Sequence, residues 1–131
     1  MLSEFPAMPV LAVSDLDRAR RFYEGILGFT PSDDVPDGVV YTSGGVRILV
    51  YPSDYAGTNK ATAVSFPLPE DAFDREVARL RDSGVSFQEF ELEGMTWHDG
   101  VAEMDGMRAV WFEDPDGNIL NVEASPEATT G

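Results

Sequence analysis

Asp15-Leu16-Asp17-Arg18-Ala19-Arg20-Arg21-Phe22-Tyr23-Glu24-Gly25-Ile26-Leu27-Gly28-Phe29 is the stretch that decides the fold. Leu16, Ala19, Phe22, Tyr23, Ile26 and Leu27 recur at the spacing of one helix face. Asp15 and Asp17 stand at the positive end of that helix, and Arg18, Arg20 and Arg21 follow on its outer face. Ser14-Asp15 supplies a capping oxygen for the first free N–H groups. Gly28 supplies the C-cap, where a left-handed residue without Cβ ends a helix cheaply. Upstream, Met8 to Val13 is a short apolar run that reads as a strand. Phe22 and Tyr23 are expected to lock the helix onto a sheet, as buried aromatics do.

Outward from this stretch the pattern repeats. Pro36-Asp37-Gly38 is a turn, and Val39–Thr42 and Val46–Tyr51 flank Ser43-Gly44-Gly45 as a hairpin. Pro52 to Lys60 is rich in turn formers and reads as a linker. Ala61–Leu68 is a second opening strand, and Pro69-Glu70-Asp71 starts a second helix with Ala72, Phe73, Val77 and Leu80 on its apolar side. Gly84 closes it, 13 positions after Asp71, the same interval that separates Asp15 from Gly28. Val85–Leu92 is expected to be extended, and Glu93–Gly106 to be a long loop with an edge strand. Met107–Glu113 and Asn118–Ala124 are strands about the turn Asp114-Pro115-Asp116-Gly117. Two copies of a strand–helix–strands unit rule out a solenoid and point to one pseudo-symmetric α+β domain. The expected architecture is two curved, mostly antiparallel sheets, each with a helix packed outside. Its bounds are an N-terminal module at about 5–52, a linker at 53–60, a C-terminal module at about 61–124 and a frayed tail at 125–131.

Composition narrows the partners. The formal net charge is −15, from 24 Asp and Glu against nine Lys and Arg, so a phosphate backbone or an anionic membrane surface is repelled. The plain reading of such a surface is solubility; the functional one is a bias toward neutral or cationic ligands. No cysteine is present, which removes disulfides, thiolate nucleophiles and Cys-based zinc sites together. Met1-Leu2-Ser3-Glu4-Phe5-Pro6 carries neither a basic region nor a signal-length apolar run, and no stretch approaches the roughly 20 apolar residues of a membrane span. The expected location is the cytoplasm.

The segment Asp15–Tyr23 with Ile26-Leu27-Gly28-Phe29, and Asp114-Pro115-Asp116-Gly117-Asn118 with the alternating strand after it, together resemble the vicinal-oxygen-chelate superfamily, the glyoxalase/bleomycin resistance/dioxygenase group. The likeness runs from about Phe5 to Ala124. It implies paired βαβββ modules and, by analogy with relatives, a homodimer whose ligand cups both protomers complete. Members span isomerases, ring-cleaving dioxygenases, fosfomycin-resistance transferases, epimerases and metal-free bleomycin-binding proteins, so the fold leaves the chemistry open.

The resemblance also implies a divalent metal held by His or Glu on facing strands. Its first ligand position, seven residues before Asp15, holds Met8. Its last, seven residues after Asp114, holds Asn121 where enzymes of the family carry Glu. Ala63 aligns with the third, and Ile48 or Leu49 with the remaining one. A hard cation requires several oxygen or nitrogen donors at about 2.0–2.6 Å, and a thioether is a poor donor for it. Metal-dependent isomerisation, ring cleavage and thiol transfer are therefore in doubt, and the expected cofactor and metal are none.

Residues expected to face the cup are Met8, Val10, Ala63, Ser65 and Asn121, with aromatic walls from Tyr41, Tyr51, Tyr55, Trp97 and Trp111 and a basic group at Arg47. Such a lining suits a flat or apolar organic molecule; aromatic faces and an acidic surround also suit a cationic group. The alternative for each aromatic is a place in the core, and for Arg47 a surface carboxylate. The sole histidine, His98, has Asp99, Glu103 and Asp105 nearby and is the one candidate for acid–base work or a weak metal site, against the plain reading of a loop histidine. Asp33-Asp34 and Glu89-Phe90-Glu91-Leu92-Glu93 read as solvated surface. The expected function is metal-independent binding of a small organic ligand. The alternatives are an enzyme of the same group with a non-standard or absent metal, and an inert relative with a filled cup.

Overall fold

The computed structural model describes residues 1–125. Of the tail expected to fray, 125–131, Ser125 is described, its N–H donating to the Leu68 carbonyl at 2.7 Å, and 126–131 lies outside the described residues. The apolar run before Asp15 forms strand β1 (Val10–Val13). It starts after Pro9, which has no N–H to give a ladder, though the Pro9 carbonyl accepts from the Leu49 N–H at 2.9 Å. Asp15 caps helix α1 (Leu16–Arg20) by accepting from the Arg18 N–H at 3.1 Å. The helix then widens into a π turn, Arg21–Ile26, closed by a bond of 3.0 Å from the Leu27 N–H to the Phe22 carbonyl. Gly28, at φ 76°, takes the chain out of it. Strands β2 (Thr30–Val35), β3 (Gly38–Ser43) and β4 (Val46–Pro52) follow.

The second unit runs β5 (Thr62–Leu68), α2 (Glu70–Asp82), β6 (Thr96–His98), β7 (Val101–Met104), β8 (Met107–Glu113) and β9 (Ile119–Ala124). The first sheet has the order β1-β4-β3-β2 and the second β5-β9-β8-β7-β6. In each, the opening strand lies parallel to the closing one, β1 to β4 and β5 to β9, and every other pair is antiparallel. The fold is α+β with two open, mostly antiparallel curved sheets, as the repeat predicts.

Two expectations need correction. Val85–Leu92 forms no ladder strand. The pairing of β7 with β8 ends at Ala102–Ala109, which leaves the Trp111 carbonyl free to accept from the Gln88 N–H at 2.8 Å. The segment thus borders β8 through an isolated bond. Glu93–Gly106 holds a hairpin rather than a loop with one edge strand: β6 and β7 join through Asp99-Gly100, and β7 and β8 through Asp105-Gly106. Both residues of each pair have positive φ, at 52° and 80° and at 53° and 79°, the geometry of a tight two-residue hairpin turn.

Alternation along the strands decides what is buried. Leu11, Val13, Tyr41, Ile48 and Val50 of the first sheet, and Val110, Phe112, Leu120, Val122 and Ala124 of the second, share one core with Phe22 and Tyr23 of the first helix and Phe73, Val77 and Leu80 of α2. The two units are joined at the turn between β8 and β9. The buried Asp114 carboxylate accepts from the Tyr23 hydroxyl at 2.6 Å, from the Asp116 and Asn118 N–H groups at 2.9 Å each, and from the Asn118 amide at 2.8 Å. That amide also donates to the Ala12 carbonyl at 2.8 Å, and Asp116 accepts from the Ser14 N–H at 3.0 Å and from Arg18 at 3.2 Å. Burial raises the Tyr23 hydroxyl pKa far above its ordinary value, and the adjoining Asp114 charge adds to this. The carboxylates of this turn are therefore structural joints.

Candidate functional site

Each sheet has one face under its helix and one free of it. On the helix-free face of the second sheet, register places Ser65 beside Asn121 and Asn121 beside Trp111. The Ser65 hydroxyl donates to Asn121 Oδ1 at 2.6 Å, and Asn121 Nδ2 donates to the Val110 carbonyl at 3.2 Å. Asn121, only 5% exposed, is thus fixed at both ends of its amide. Farther along this face stand three rings. Phe90 meets Trp97 and Trp111 edge to face, each at 5.1 Å between centroids, and the two indoles lie 6.2 Å apart. Both tryptophans are half-buried and Phe90 is 41% exposed. A cavity of about 620 Å³ adjoins them, lined by Glu89–Glu93, Met95 and Trp97.

The corresponding face of the first sheet is plainer. Val10 pairs with Leu49 and Ala12 with Tyr51, so these four side chains share the face. Met8 and Val10 are 37% and 52% exposed. Arg47 is turned to a surface carboxylate, Asp33, at 3.9 Å.

The residues proposed from sequence therefore divide into groups. Ser65, Asn121, Trp111 and Trp97 share one face. Met8, Val10, Tyr51 and Arg47 belong to the other sheet, and none of the described cavities brings them to Asn121. Ala63 sits at a register shift between Thr62 and Val64 and packs toward the core, so Ser65 rather than Ala63 lies opposite Asn121. A bulge moves every later side chain of a strand by one place, which spacing alone does not reveal. Tyr41 lies on the helix side, fully buried, with its hydroxyl donating to Glu24 at 2.8 Å. Burial raises its pKa, and the bond to Glu24 adds to the shift. Tyr55 is 79% exposed in the linker. His98 points into solvent beside Asp99, at 3.5 Å with side-chain exposures of 93% and 79%. Phe90 was hidden in a run read as surface charge; the signal for it was the alternation of Phe90 and Leu92 with the glutamates.

The positions that would hold a family metal do not fit one. A thioether, a register-shifted alanine, an aliphatic side chain and an amide engaged by Ser65 and Val110 offer no set of free hard donors. Among the described residues no group of three or more His, Cys, Asp or Glu converges as a metal site. A second cavity, of about 640 Å³, opens on the helix side between the two units, walled by Leu27, Phe29, Val64, Phe66, Phe112 and Val122. No described helix is long and apolar enough to cross a membrane.

Residues 6–122 match the model of the Glyoxalase/Bleomycin resistance protein/Dioxygenase superfamily. No curated protein matches the sequence. Among solved structures, a glyoxalase/bleomycin resistance protein/dioxygenase from Alicyclobacillus acidocaldarius is 18% identical at TM-score 0.69, over 92% of this chain and 90% of that one. A lactoylglutathione lyase from Agrobacterium tumefaciens is 18% identical at 0.68, over 93% and 94%. The fosfomycin resistance protein FosX from Mesorhizobium loti is 16% identical at 0.66, over 95% and 94%. At these identities the likeness is one of fold.

Proposed function

The chain belongs to the glyoxalase/bleomycin resistance protein/dioxygenase superfamily, and from that premise we propose that it binds a flat or apolar organic molecule without a metal or other cofactor and without breaking bonds in it. The observation that carries this reading is the half-exposed Phe90–Trp97–Trp111 cluster on the same sheet face as the Ser65–Asn121 pair. Rings supply apolar area to an aromatic ligand, and Ser65, itself exposed, is a polar group able to orient it. Asn121 replaces the charge a metal would need with a neutral amide held by its neighbours. A second copy would cover the apolar strip at Met8 and Val10 and complete the cup, and the protein would act as a homodimer, one domain per chain, in the cytoplasm.

Trp97 and Trp111 are the only tryptophans in the chain, so intrinsic fluorescence reports on this face alone. Titration with flat aromatic compounds in the presence of a chelator should quench that fluorescence and raise the melting temperature. At about 100 times the dissociation constant, binding should add roughly 2.7 kcal/mol of stability. A response that appears only after a divalent ion is added, or steady turnover of the compound, would overturn the reading. A raised melting temperature with unchanged fluorescence would move the site to the helix-side cavity.

A further inference from the structure

We propose that the cavity on the helix side is a second binding site, separate from the aromatic face, and that it takes an acyl chain ending in a carboxylate, with the chain between the two units and the carboxylate at Arg75. Three observations carry the inference. The first is unfilled apolar space. Leu27, Phe29, Val64 and Phe66 pack against the shared core yet stay half-buried, because the cavity of about 640 Å³ separates the units there. Apolar side chains that face a void forgo packing contacts, and a chain of methylenes threaded among them restores those contacts. The volume lies within the usual range for a small-molecule site. Walls drawn from both units form an irregular seam, which a flexible chain follows better than a rigid ring. The second observation is charge. Among the described residues, Arg75 and Glu76 of α2 are the only charged ones in the cavity wall, and Arg75, with a side chain 65% exposed, stands at its mouth. Glu76 lies 3.4 Å from Arg75 and 3.9 Å from Arg79. One carboxylate therefore serves two guanidiniums, whereas Arg20 and Arg108 have two carboxylates each. The mouth keeps a positive charge in excess on a chain of formal net charge −15, and a ligand carboxylate there completes the pairing. The third is separation. Trp97 and Trp111 take no part in the wall. Phe112 does, and successive side chains of β8 point to opposite faces, so the cavity and the aromatic face lie on opposite sides of the second sheet.

The test uses two chains of one length, decanoate and 1-decanol, each titrated calorimetrically into the full chain at neutral pH. Decanoate should bind at least tenfold more tightly than the alcohol and weaken several-fold as sodium chloride rises from about 50 to 500 mM. Tryptophan fluorescence should stay nearly constant in both titrations, since neither indole borders the cavity. Arg75→Gln, at an exposed position, should bring decanoate down to the affinity of the alcohol and leave the alcohol unchanged. Val64→Phe, which adds bulk to the wall, should weaken both by about tenfold; if that variant does not fold, the fluorescence and the Arg75 variant still decide. Equal binding of the alcohol, or a preference for decanoate that survives Arg75→Gln, overturns the carboxylate assignment. Fluorescence quenched by decanoate, and restored by salt or by the alcohol, places the chain on the aromatic face and overturns the second site, with the small-molecule reading of that face left standing. Binding of neither chain overturns the proposal outright.

Discussion

The helix-free faces of the two sheets come from the same strand plan and have diverged. In the first sheet that face is aliphatic, with Val10, Ala12, Leu49 and Tyr51 in register across the parallel pair and an Arg47–Asp33 ion pair beyond them. In the second it carries a locked amide, a serine and three packed aromatic rings. The second sheet also has one strand more, β6, and that strand brings in Trp97. Topology fixes where a face lies. The side chains that alternate onto it are free to change, because the core is built from the opposite face.

The comparison can be broken at the joint that both sheets share. Asp114→Ala removes four hydrogen bonds and leaves the Tyr23 hydroxyl and the Asn118 backbone N–H without their partner, while the Asn118 amide keeps only its bond to the Ala12 carbonyl. It should destabilise by about 3 kcal/mol or more in urea unfolding, against about 1 kcal/mol or less for the exposed Asp34→Ala in the first unit. The joint should also fail in alkali. The Tyr23 and Tyr41 pKa values are raised in the folded state, so the unfolded chain loses these protons first. Stability is then fully present below about pH 10 and falls above it by up to about 1.4 kcal/mol per pH unit for each tyrosine. Tyr23→Phe should flatten that slope, measured as the urea midpoint from about pH 9 to 11.

Smaller effects sharpen the contrast. Arg108 joins α2 to the second sheet through Asp74 at 2.7 Å and Glu70 at 3.3 Å and lies 4.7 Å from the Phe73 ring centroid. Arg108→Ala should cost about 1–2 kcal/mol, because a ring contact is lost with the partly solvated ion pairs. Arg20, held by Glu24 and Asp34 without a ring, should cost less than about 1 kcal/mol on truncation. The hydrogen bond to Asp34 raises the Arg20 pKa, and that to Asp74 raises the Arg108 pKa, so both pairs persist across the neutral range. Smallest is Gly25→Ala in the π turn. Its backbone lies outside the positive-φ region and a Cβ there meets nothing within 4 Å, so the change should stabilise by about 0.4–1 kcal/mol.

Much of the fold was legible. The cap at Asp15, the equal helix intervals, and the turns at Gly44-Gly45 and Asp114–Gly117 are local signals, and each is set by sterics within a few residues. The signals passed over were of the same kind: Asp99-Gly100 and Asp105-Gly106 are strong two-residue hairpin sequences, lost in a region whose strands are too short to show alternation. The site was legible in part. Asn121 is named through the family resemblance, and Ser65 and Trp111 as residues expected to face a cup; register sets these three on one face. Tyr41, also expected to face the cup, lies on the helix side instead, because an uncertainty of one residue in a strand exchanges the two faces.

The amino-acid sequence by itself determined the two-unit plan, the acidic surface and the lack of His or carboxylate at Met8, Ala63 and Asn121, since those depend on residue identity and short-range spacing. Only the tertiary structure decided that Phe90 joins Trp97 and Trp111, that Ser65 replaces Ala63 beside Asn121, and that the Asn121 amide is engaged at both ends. These are contacts between residues far apart in the chain, fixed by strand register and by one bulge, and no local preference encodes them.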